Sequence, residues 1–248
     1  MVYGDRDLNY ALTGDGVHPN AEGYRIMEGI VLPIIRERIK FESAVIPEQV
    51  SLSGTALAEA YPVACTKVSI TGFEAFTELK AGGNLEIKNE KGAPFFITDN
   101  KISESGQPVQ ISKNGVYCIS LDFLTKEASV KEVTSMCVLN CFSKKSMADL
   151  TYSGDGTWSG DWNVDLKMPW GEENRYRLMM TVGDEKVDWG YTLGATKYPD
   201  GSEEYYHMMR VKPANTWANT WRIPTSYNGK TVHLTATMRG TYTHYYTE

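Results

Sequence analysis

The pattern of hydrophobic and polar positions changes character near Lys40. Before it, Ile26, Ile30 and Ile34, with Met27, Val31 and Ile35 beside them, recur at i, i+4 and predict one amphipathic helix. Asn20 stands where an N-cap belongs, and Glu22 falls in the first turn, where the helix dipole favours a carboxylate. Pro33 is expected to kink or restart this helix, since it has no N–H for the carbonyl four residues back. Such a face needs a cover. A sheet, another helix or a second copy of the chain is expected against residues 26–35, which makes a homodimer through this helix an expectation to test.

Beyond Lys40 the period becomes two. Val50 and Leu52 alternate with polar residues, as do Leu85 and Ile87, and Tyr117, Ile119, Leu121 and Phe123 share one strand face. Gly82-Gly83, Lys91-Gly92 and Asn114-Gly115 read as turns between these runs. Further on the alternation sharpens. Trp162, Val164, Leu166 and Met168 share a face; so do Tyr176, Leu178, Met180 and Val182, and again Val232, Leu234, Ala236 and Met238. Tyr198-Pro-Asp-Gly201 reads as a hairpin turn. The stretch 72–89 aligns loosely with 160–180, each running from glycine through aromatic residues and a turn into a strand. The fold class expected is mainly β, two antiparallel β-sandwich modules after one N-terminal α-helical segment, with divisions at 1–42, 43–134 and 135–248.

Composition narrows the function. With 248 residues, 42% hydrophobic and 23% charged, the chain has the make-up of a globular protein. A net charge of −6 argues against nucleic acid as a partner, because duplex binding rests on a basic face that displaces counterions. The apolar run Ile30–Ile35 is far too short to cross a bilayer, so no transmembrane segment is expected. Asp5, Arg6 and Asp7 stand where an export signal would be apolar, so none is expected at this start; the chain is either cytoplasmic or the tail of a longer exported one. Cys137 and Cys141 would lie about 13 Å apart on an extended strand, beyond disulfide reach unless a turn separates them. Cys65 and Cys118 read as buried thiols. Neither a zinc spacing nor a nucleotide, metalloprotease or calcium motif appears, so no cofactor and no metal are expected.

Aromatic usage is lopsided. All 6 tryptophans lie beyond residue 150, whereas no phenylalanine follows Phe142. A sugar offers an apolar C–H face and a rim of hydroxyls, so its site needs an exposed flat ring with amides or carboxylates beside it. Two stretches fit that description. Asp188, Trp189 and Tyr191 follow a predicted strand around Gly190. Asn215, Trp217, Asn219 and Trp221 lie in a polar stretch between Pro213 and Pro224, where one helical turn would bring both indoles to one face. The same indoles would also suit plugs for the ends of a sandwich, and Trp170 reads as a cover for the core edge.

Near the start, Asp15-Gly-Val-His18-Pro-Asn20 resembles the D-x-x-H-P block that leads into the last helix of the SGNH/GDSL hydrolases. The resemblance covers residues 8–41 and implies that His18 is a general base oriented by Asp15. The Gly-Asp-Ser nucleophile and the oxyanion glycine and asparagine belong upstream, where only fourteen residues stand, and Gly154-Asp155-Gly156 has glycine in place of the serine. On this reading Asp15 and His18 are vestigial, and the chain as it stands is expected to be inactive.

From Glu48 onward the chain is similar to the SusE/SusF-type glycan-binding proteins of bacterial surface utilisation systems. The matching stretches are Val50-Ser-Leu-Ser-Gly54, Phe76-Thr-Glu-Leu-Lys-Ala-Gly-Gly83, Gly115-Val-Tyr-Cys-Ile-Ser-Leu-Asp-Phe123 and the Trp-rich second module. The resemblance implies tandem immunoglobulin-like sandwiches, an extracytoplasmic location in the periplasm or on the outer-membrane surface, and polysaccharide or oligosaccharide as the partner. The expected function is therefore non-catalytic carbohydrate binding by the C-terminal sandwich. The alternative is part of an SGNH-type carbohydrate esterase whose nucleophile-bearing region is missing; a third reading makes the modules spacers or protein-docking domains.

Overall fold

The computed structural model describes residues 2–3, 7–8, 12, 18–38, 45–168, 171–172, 174–184, 192–195, 208–211 and 220–248. They belong to two compact units, Met1–Val45 and Ile46–Glu248.

In the first unit a helix spans Ala21–Arg38. Asn20 caps it as expected: its Oδ1 accepts the Gly23 N–H at 3.0 Å, and its carbonyl accepts the Tyr24 N–H at 2.9 Å. Glu22, in the first turn, also pairs with Arg25 at 2.6 Å. The helix continues through Pro33 without restarting. Its apolar stripe stands open, with Ile30 and Ile34 more than half exposed.

The second unit is mainly β and contains two sandwiches. In the first, strands Val50–Ser53, Val63–Ala64, Asn84–Asn89 and Pro94–Thr98 form one layer. Thr66–Lys67, Gly72–Leu79, Gly115–Asp122 and the first half of Glu127–Asn140 form the other. Between them lie Val50, Leu52, Leu85, Ile87, Ile119 and Leu121, the residues whose alternation marked them as inward. In the second sandwich, one layer joins the second half of Glu127–Asn140 to Arg175–Val182, Thr192–Ala195, Met208–Val211 and Trp221–Arg222. Ser146–Gly154 passes between the layers, its first half pairing with Met136–Leu139 and its second half with Thr157–Asn163, which with Thr231–Arg239 and Thr241–Thr247 makes the opposing layer. Trp162, Val164, Leu166, Tyr176, Leu178, Val232 and Leu234 fill this core as the period of two predicted. Both aligned stretches, 72–89 and 160–180, begin in one layer and end in the opposing one.

No linker separates the sandwiches. The strand Glu127–Asn140 is 14 residues long and runs through both. Residues 127–132 pair back to Gly115–Asp122, and 133–140 pair with Arg175–Val182. The division expected at 134/135 falls on a register shift between Val133 and Ser135, where an extra residue bends the strand and lets it change partners. Gly72–Leu79 is buried along its whole length. Phe73, Ala75 and Leu79 face the first core, whereas Phe76 joins the second. The open edge of that strand is closed by the Tyr242 hydroxyl, which accepts the Phe76 N–H at 2.8 Å, and Tyr152 donates to Glu78 Oε1 at 3.0 Å.

The cysteines form no disulfide; Cys118, Cys137 and Cys141 are buried and Cys65 is half-buried. Gly154-Asp155-Gly156 makes a hairpin tip, with φ +51° at Asp155 and +66° at Gly156, the left-handed pair of a two-residue connection.

Candidate functional site

The described tryptophans of the second sandwich, Trp158, Trp162 and Trp221, build its interior. The Trp162 and Tyr176 rings lie 5.2 Å apart, Tyr176 and Trp221 5.5 Å, and Trp221 and His244 3.9 Å. The Tyr176 hydroxyl and His244 Nε2 meet at 3.0 Å inside this stack. Trp158 packs on Tyr152 at 5.3 Å.

Trp221 therefore corrects an expectation. It was to share an exposed helical face with Trp217. Instead it opens a short strand, Trp221–Arg222, paired with Arg175–Tyr176, and only 2% of it is exposed. The cause is local alternation: Trp221 and Ile223 point inward and Arg222 outward, a strand pattern that outweighs the i, i+4 spacing of the indoles.

Asp188, Trp189, Tyr191, Asn215, Trp217 and Asn219 lie outside the described residues, as do Asp15, Trp170 and the Tyr198–Gly201 turn. His18 is exposed in a bend just before the helix. The strands that flank the two expected stretches are described, and their register is informative. Thr192 pairs with Val211 across neighbouring strands. Thr192 is the first described residue after 191, and Val211 the last before 212.

The opposing layer turns a second face away from the core. Because Trp162, Val232, Leu234 and Ala236 point inward, Ser159, Asp161, Asn163, Thr231, His233 and Thr235 point outward. The register sets them in rows: Ser159, Thr235 and Tyr245; Asp161, His233 and Thr247; Asn163 and Thr231; Thr157, Thr237 and Thr243. Within the rows the side chains hold one another. His233 Nδ1 lies 2.8 Å from Asp161 Oδ1, Thr231 Oγ1 donates to Asn163 Oδ1 at 2.6 Å, and the Thr157 and Thr237 hydroxyls are 3.5 Å apart. Longer charged side chains stand at the margins: Arg239, bonded to Glu59 at 2.6 Å, and the Lys230–Glu248 pair at 2.7 Å. Tyr245 is 49% exposed, while its outward neighbour Thr235 is only 9% exposed. The alternation of these strands was legible in the sequence; the rows were not, because pairing joins residues some seventy positions apart.

The first sandwich dresses its outside differently. Ser51, Ser53, Glu86 and Lys88 face outward, with Lys88 Nζ 2.7 Å from Glu86 Oε2. The hydrogen bond and charge of Lys88 hold the Glu86 carboxyl below its ordinary range. An open depression of about 550 Å³ is lined by Asn100, Lys101, Ser120, Asp122, Glu127 and Lys131, with charges of both signs interleaved. Among the described residues no cluster of three or more His, Cys, Asp or Glu side chains is placed to hold a metal ion.

No protein-family model matches the sequence, and no curated protein does. Among solved structures the chain is similar to SusF from Bacteroides thetaiotaomicron, with 13% identity and a TM-score of 0.49, over 82% of this chain and 48% of that one. The chain thus spans about half the length of the SusF chain it matches.

Proposed function

We propose that the C-terminal sandwich binds polysaccharide without catalysing its breakdown, and that the stretches holding Asp188, Trp189 and Tyr191 and Asn215, Trp217 and Asn219 make one contact region. The observation that carries this reading is the Thr192–Val211 pairing, from whose two sides these stretches depart. Indoles would stack on the C–H face of a sugar, with the carboxylate and amides meeting its hydroxyls. Trp221 leaves the contact set and becomes the anchor behind it, since its buried ring lies at the C-terminal end of the second stretch. The test is native electrophoresis through gels containing starch, xylan, mixed-linkage β-glucan or galactomannan. Retardation of the wild type, lost in Trp189→Ala and Trp217→Ala, supports the reading; a wild type that runs unretarded in every gel ends it.

The same reading puts the protein outside the cytoplasm, in the periplasm or on the outer-membrane surface, which cell fractionation tests. No described helix is long and apolar enough to cross a membrane. One local feature favours the esterase alternative for residues 8–41. The His18-Pro19 bend runs straight into a helix capped by Asn20, as the D-x-x-H-P block requires. Nitrophenyl acetate hydrolysis by this chain that disappears in His18→Ala would overturn the expectation that the chain as it stands is inactive.

A further inference from the structure

We propose that the outer face of strands Thr157–Asn163, Thr231–Arg239 and Thr241–Thr247 is a second saccharide-binding surface, a platform for a neutral polysaccharide centred on Tyr245. The inference rests on the carbohydrate-binding reading above, but it uses neither the 185–191 nor the 212–219 stretch.

The ring comes first. Thr235 points outward yet is only 9% exposed, so a neighbour lies over it. Its cross-strand neighbours are Ser159 and Tyr245, the latter the one phenol ring in the rows. Tyr245 is 49% exposed, and an exposed phenol ring can stack on the C–H face of a pyranose.

The polar groups around it are held in advance. Asp161 and His233 fix one another at 2.8 Å, and Asn163 and Thr231 do so at 2.6 Å. Each pair keeps capacity to spare: the second carboxylate oxygen, the second imidazole nitrogen and the Asn163 amide NH₂. Short side chains already fixed lose little rotamer freedom when a ligand arrives, unlike the lysines and glutamates of the first sandwich.

Charge selects the occupant. Asp161 is the lone carboxylate in the rows and it faces an imidazole, while Arg239, Lys230 and Glu248 keep to the margins, each already paired. Nothing here attracts a polyanion. A neutral chain of hydroxyls matches the face's own neutrality and its mixture of donors and acceptors.

The experiment is affinity electrophoresis of the full chain in starch, xylan, mixed-linkage β-glucan and galactomannan, with polygalacturonate as the anionic counterpart. Tyr245→Ala is expected to weaken binding roughly five- to tenfold, the worth of one aromatic stacking contact. Ser159→Lys, which plants a long charge in the central row, is expected to weaken it comparably and keeps the test alive if Tyr245→Ala melts early. Lys88→Ala, in the first sandwich, is expected to leave the retardation relative to a glycan-free gel unchanged. A wild type retarded by a neutral glycan, with Tyr245→Ala and Ser159→Lys equally retarded, overturns the platform and leaves the carbohydrate reading standing. Retardation by polygalacturonate alone also overturns it. A wild type retarded by nothing removes the reading and the platform together.

Discussion

The two sandwiches share one strand and solve the problem of an outward face in opposite ways. The first keeps itself soluble with Glu86 and Lys88 beside Ser51 and Ser53, long side chains whose charges sit in high dielectric and organise little. The second replaces them with Ser, Thr, Asn and a His–Asp pair, packed in rows around one half-exposed ring. Inside, the contrast persists. The first core is aliphatic with phenylalanines, and the second stacks Trp162, Tyr176, Trp221 and His244. Large flat side chains span a wide gap between layers with few rotamers, which makes the second sandwich a stiff support for whatever its loops and outer face present.

The sharpest way to break this comparison is to ask whether the halves are separable. Trp162→Ala removes one of the two largest fully buried side chains of the second core and should cost about 3–5 kcal/mol. Because Glu127–Asn140 and Gly72–Leu79 each contribute to both cores, Phe73→Ala and Trp162→Ala should each lower one common calorimetric transition of residues 46–248. Two transitions, each moved by only one substitution, would show independent sandwiches.

A smaller effect isolates the junction. Tyr242→Phe leaves the Phe76 N–H without its acceptor and should cost about 1–3 kcal/mol, read from urea midpoints at unchanged slope. A change well under that would mean water replaces the phenol.

The junction should also respond to alkali. Burial first, then the Glu78 hydrogen bond, pushes the Tyr152 phenol up from 10.0 to about 12. Burial alone pushes the Cys65 thiol up from 9.0 to about 12, and burial likewise raises Tyr242. Groups whose folded pKa is raised favour the native state fully below the unfolded value, and that advantage fades as pH climbs toward the folded one. The melting temperature should thus hold to about pH 9 and fall across 9–12, less steeply in Tyr152→Phe. A flat profile through that window would dismiss this coupling.

The least consequential change for stability is Lys88→Ala, since the pair it breaks is exposed and worth under about 1 kcal/mol. Ile30→Glu, on the open helix stripe, should likewise leave stability alone while testing association. Light scattering that drops from twice 27.8 kDa to 27.8 kDa would demonstrate a dimer through the helix; a monomeric wild type disposes of it.

Much of the architecture was already written in spacing. Asn20 and the Ile26–Ile30–Ile34 stripe specify the helix, because a cap and a 3.6-residue period are local properties. The inward identities of Leu52, Ile119, Trp162, Leu178 and Leu234 follow as directly from a period of two, since a strand has only two faces. Trp221 shows where such reasoning slips: its distance from Trp217 suited a helical turn, whereas its alternation with Ile223 made a strand that pairs with Tyr176 and seals it inside.

What the sequence could not contain was partnership. That Thr134 sits where one strand passes from one sandwich to the other, that Tyr242 reaches back to Phe76, and that Asp161 finds His233 are all consequences of register between distant segments. Local chemistry decides which way a side chain points. Which other side chain it meets there is settled only when the layers close, because that choice depends on the summed burial of two whole cores and not on any residue's neighbours in the chain.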